Sequence, residues 1–136
     1  MQTTALPIVS AIAAGVLILG QMALMLAVAR LRRTARVSLG NGDDPALLAA
    51  IRRHGNYAEN AAIFIAGLAL LEILGAERSS VAQLAAIFIA GRVLHAIGLS
   101  QTRTVNVWRI VGIVATVAAG VGLGAQLIAR ALPHLS

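Results

Sequence analysis

The chain of 136 residues contains no cysteine, so disulfides, thiolate metal sites and a protein thiol nucleophile are all excluded. Any thiol chemistry would need a thiol delivered by a cosubstrate. Only 12% of the residues are charged, against about 25% in a soluble domain, and all of the positive charge is arginine. Aromatic residues make up 3%, and no basic run alternates with stacking side chains. The formal charge of +6 therefore does not point to nucleic acid. His54, His95 and His134 lie on separate elements without metal-ligand spacing, so no metal site is expected. Neither a nucleophile elbow nor a phosphate loop occurs.

What is present is apolar: 59% of the residues are hydrophobic. A spanning helix needs about 20 such residues. The length accommodates four spans with short connections, and an all-α membrane protein built as one four-helix bundle over 1–136 is expected, with spans near 7–30, 46–74, 80–99 and 107–132. The first run has no preceding positive charge and exceeds the roughly 7–15 residues of a signal-peptide core, so it reads as a retained anchor. Asp44 caps a helix starting at Pro45. That helix runs unbroken to about Leu74, roughly 45 Å long. Gly112, Gly120, Gly122 and Gly124 suit close packing of the last span. Arg30, Arg32, Arg33 and Arg36 in the first connection, with Arg103 and Arg109 near the third, place these connections in the cytoplasm by the positive-inside rule. An integral, multi-pass protein of a bacterial inner membrane, in contact with lipid, is the expectation.

Against this background the stretch IRRHGNYAEN, 51–60, stands out. At about 100° per residue, Arg52, Asn56 and Glu59 share one helix face, while Arg53 and His54 point away from it toward the interface or a neighbouring helix. In the third span Arg92 and His95 share a face. An ionised side chain at the bilayer centre costs on the order of 2.5–3.5 kcal/mol, so these groups should face protein or water. Glu59 can pair with Arg52 or Arg92, which leaves surplus arginine and a site suited to an anionic guest. The competing reading is an interhelical hydrogen-bond network, and His95 fits either. Arg53, Arg103 and the first-connection arginines fit snorkelling to headgroups. Tyr57 and Trp108 suit interface anchors. Glu72 is expected to meet water or headgroups near the end of its span.

The pattern Arg52-x-x-x-Asn56-x-x-Glu59, followed by Gly91-Arg92-x-x-His95-x-x-Gly98, resembles the MAPEG family of membrane-associated proteins in eicosanoid and glutathione metabolism. The resemblance implies a homotrimer of four-helix protomers with glutathione, as cosubstrate, bound between protomers. It implies that Arg52, Asn56, Glu59, Arg92 and His95 bind it and that an arginine at the start of the fourth helix activates the thiol. Arg109 is the candidate for that catalytic role, with Arg103 the alternative. The implied activity is a glutathione transferase or peroxidase acting on lipophilic small-molecule electrophiles. Two positions depart from the family: Leu99 replaces an aromatic residue, and Ala61-Ala62-Ile63 lack a proline, which should straighten the second span. A non-catalytic member binding lipid or a small anionic metabolite is the alternative. A small multidrug exporter fits less well, because the first span lacks an acidic coupling residue.

Overall fold

The computed structural model describes residues 6–100 and 106–135, and all of the regular structure within them is helical. The helices are α1 (Ile8–Ala35), α2 (Pro45–Glu59), α3 (Ala61–Ile73), α4 (Arg78–Gly98) and α5 (Val107–Ala131), followed by one 3₁₀ turn. Arg103 lies outside the described residues.

Among the described residues, α1, α4 and the stretch from α5 into the 3₁₀ turn are long and apolar enough to cross a membrane. α2 and α3 together run antiparallel to α1. Tyr57 lies against Gly20, and Glu72 reaches Ser10 near the other end of α1. This is the architecture of an integral membrane bundle.

The single helix expected over 46–74 is interrupted at Asn60, with φ −103° and ψ −10°. No proline is needed for the break. Asparagine competes for backbone hydrogen bonds and has low helix propensity, so it weakens the helix at this point. The start of α2 agrees with the sequence: the Asp44 carboxylate accepts from the amides of Ala46 (2.8 Å) and Leu47 (3.2 Å), with Pro45 at the first helical position.

Glu72 contradicts its expected exposure. It is 2% exposed, and its carboxylate accepts from the backbone amides of Val9 (3.1 Å) and Ser10 (3.0 Å) and from the Ser10 hydroxyl (2.8 Å). The physical reason is at the beginning of α1, where Pro7 occupies the cap position and provides no side-chain hydrogen bond. Amide donors at a helix start need acceptors, and the positive end of the helix dipole favours an anion. Glu72 provides both from across the bundle.

Tyr57 is likewise not an interface anchor: it is 5% exposed and joins the core cluster. Its hydroxyl fills the space where a Gly20 side chain would stand. Trp108 is half exposed, as an anchor would be.

The closest packing joins α4 to α5. A Cβ on Gly112 would lie 2.6 Å from the His95 amide nitrogen and 2.7 Å from the Gly91 carbonyl oxygen, and one on Gly98 would lie 2.7 Å from the Arg109 amide nitrogen. Backbones can approach this closely only where side chains are missing. Gly120 and Gly124, grouped with Gly112 in the sequence reading, instead face open space. Asn106 closes the junction: its Oδ1 accepts from the Arg109 amide (3.0 Å) and its Nδ2 donates to the Gly98 carbonyl (2.8 Å).

Candidate functional site

Close contact between α4 and α5 fixes the face of α4 that carries Arg92 and His95. Both residues are buried, at 4% and 5% exposure. The Arg92 guanidinium donates from Nη1 to the Asn56 carbonyl (2.7 Å), and from Nε (3.1 Å) and Nη2 (2.7 Å) to the Thr116 hydroxyl. Thr116 Oγ1 in turn donates to the Gly112 carbonyl (2.8 Å), one turn back on α5. A buried charge is tolerated only when it is hydrogen-bonded, and this network supplies the partners. Phe88, stacked on Phe64 with ring centroids 3.8 Å apart, presents its ring 5.9 Å from Arg92 Cζ. That distance is within cation–π range.

Around this network lies a cavity of about 220 Å³ between α2, α4 and α5, whose polar lining is Asn56, Asn60, Arg92, His95, Arg109 and Thr116. Three helices and the α2–α3 junction thus converge on one polar opening. Of the sequence candidates, Asn56, Arg92, His95 and Arg109 are brought together here. Arg52 and Glu59 flank Asn56 on the same helix but are exposed.

The expected pairing of Glu59 with Arg52 or Arg92 is not formed: Arg92 takes its contacts from Asn56 and Thr116. Asn56 Nδ2 donates to the Arg52 carbonyl (3.0 Å), which holds its amide against its own helix. Arg53, on the other side of α2, donates from Nη1 to Ser100 Oγ (2.7 Å) rather than only to the interface.

Two polar lining residues, Thr116 and Asn60, are not among the candidates the sequence offers. Thr116 sits seven residues after Arg109, and with Ile113 it completes one face of α5, so a search for the polar face of that helix could have found it. Asn60 carried no comparable signal, because its place depends on the helix break.

Arg92 has five N–H groups and uses three of them on these partners, so its charge can serve a ligand as well as the fold. Among the described residues no group of three histidine, cysteine, aspartate or glutamate side chains could hold a metal. The chemistry available is recognition of anions and amides by guanidinium and carboxamide groups, with an imidazole beside them.

No curated protein sequence gives a significant match to the chain. The sequence model of the MAPEG family does match, over residues 10–129, and the chain belongs to that family.

Proposed function

We propose that the protein is a glutathione-dependent transferase or peroxidase of the membrane, acting on lipophilic electrophiles. The MAPEG family includes glutathione transferases, and its members commonly use glutathione. The observation that carries the reading is the convergence of Asn56, Arg92, His95 and Arg109 on one cavity, with Arg52 and Glu59 exposed one turn to either side of Asn56. Glutathione bears two carboxylates, one ammonium group and two amides, and arginines with one glutamate and asparagine complement that set.

Charged Arg52 and Glu59 on the outside of a membrane bundle would be costly against lipid. A second and third copy of the chain would cover them, placing the ligand between protomers of a homotrimer. Within that site Arg109 is the activating residue, since a guanidinium beside a thiol favours the thiolate and raises its nucleophilic fraction at neutral pH. The thiolate sulfur then attacks an electrophile that arrives through the bilayer. The first connection, rich in arginine, faces the cytoplasm in this reading.

The test is spectroscopic. Glutathione added to the purified protein should produce the ultraviolet absorbance of a thiolate, and Arg109→Ala should lose it while still binding glutathione. Bound glutathione without a thiolate band in the wild type would favour a second reading, a non-catalytic binding protein; the replacement of an aromatic residue by Leu99 is the feature that supports it.

A further inference from the structure

On the opposite side of α2 from this cavity, a second opening of about 290 Å³ lies between α1, α2 and α4. Its walls are small or apolar, with Gly20 and Ala23 on α1 and Ala96 on α4, and its polar groups are Arg53, Tyr57 and Ser100. Further along the same α1–α4 seam is another apolar opening of about 330 Å³, bordered by Ala13, Ala82, Ala85 and Ala86. From Ala82 to Ser100 the seam covers about 27 Å of helix, close to the roughly 30 Å hydrocarbon thickness. Small side chains on both helices make a furrow where an acyl chain can lie.

The polar end of the furrow is not neutral. Arg53 Nη1 is taken by Ser100 Oγ, but Nε is buried and has no hydrogen-bond partner among the described residues. A buried guanidinium nitrogen left without an acceptor is costly, and the same guanidinium borders the opening, where it can meet an anion. Ser100 lies just beyond the end of α4, which is long and apolar enough to cross a membrane. α1 carries Arg30, Arg32 and Arg33 into the same end of the bundle, with Arg36 just past its end, against Asp43 and Asp44 in the connection. A guest complementary to this lining would be negatively charged at one end and apolar along the rest.

We propose that the α1–α4 furrow is a binding site for an anionic phospholipid, with the phosphate on Arg53 and one acyl chain along the small-residue seam. The site shares no lining residue with the polar cavity, so it stands or falls independently of glutathione binding.

The test is native mass spectrometry of the full-length protein released from detergent micelles containing equal amounts of phosphatidylglycerol and phosphatidylcholine. Wild-type protein should retain phosphatidylglycerol with an about fivefold preference. Arg53→Gln should erase the preference, Arg53→Lys should keep part of it, and Ala23→Phe, which fills the furrow, should reduce retention of both lipids. Far-ultraviolet circular dichroism and size-exclusion chromatography of the same samples report that each variant is folded. Equal retention of the two lipids by the wild type, or an unchanged preference in Arg53→Gln, would overturn the proposal. So would an Ala23→Phe protein that keeps its lipid but changes its oligomeric state, since the furrow would then be covered by a second copy.

Discussion

Arg92 and Thr116 face each other across the α4–α5 contact, and two nitrogens of one guanidinium converge on a single hydroxyl, at 3.1 and 2.7 Å. The hydroxyl is oriented by its own donation to the Gly112 carbonyl, so the arginine is held by a chain of hydrogen bonds that ends on the α5 backbone. The glycine contact that brings the helices together is thereby also the support of the candidate site.

Thr116→Val keeps the shape of the side chain and removes the acceptor for Arg92. Stability should fall by about 1–3 kcal/mol, the cost of leaving buried charged donors unsatisfied. Thr116→Ser should restore most of it. Equilibrium unfolding in mixed micelles measures both, and a Thr116→Val protein as stable as the wild type would show that the hydroxyl does not support Arg92.

Gly112→Ala should push α4 and α5 apart, because a Cβ there would meet backbone atoms at 2.6 and 2.7 Å that cannot rotate away. Overpacking of this kind costs about 1–3 kcal/mol. Gly120→Ala, eight residues along the same helix and facing open space, should instead stabilise by up to about 1 kcal/mol through helix propensity. Opposite signs in the same unfolding assay are the expected outcome; equal effects would contradict the packing described.

Glu72→Ala should cost about 2 kcal/mol or more, since two amides and a hydroxyl at the start of α1 lose a charged acceptor. Glu72→Gln should cost less, because one oxygen acceptor remains. Hydrogen exchange at Val9 and Ser10 should accelerate in Glu72→Ala, with glutathione binding unchanged because the residue lies at the far end of the bundle. Loss of binding without faster exchange would argue that Glu72 belongs to a ligand site instead.

Much of this arrangement could be read from the sequence, and the remainder divides along physical lines. Periodicity placed Arg92 with His95 on one face, and the structure keeps them together in the cavity lining. The Asp44–Pro45 helix start was equally legible, because capping is local. Periodicity cannot say which neighbour a face meets. Tyr57, polar enough for an interface, is buried because Gly20 on another helix leaves room for its ring. Glu72 takes its partner from 62 residues away, and no local pattern announces that a helix without its own cap will borrow one. The break at Asn60 has no proline to announce it, and the place of Asn60 in the lining depends on that break.

The central claim, that the polar cavity with Arg52 and Glu59 beside it binds glutathione, is tested most directly by isothermal calorimetry of the purified protein in detergent. Saturable heat with glutathione is expected for the wild type, and Arg52→Ala and Glu59→Ala should each abolish it. No heat from the wild-type protein at millimolar glutathione would contradict the account.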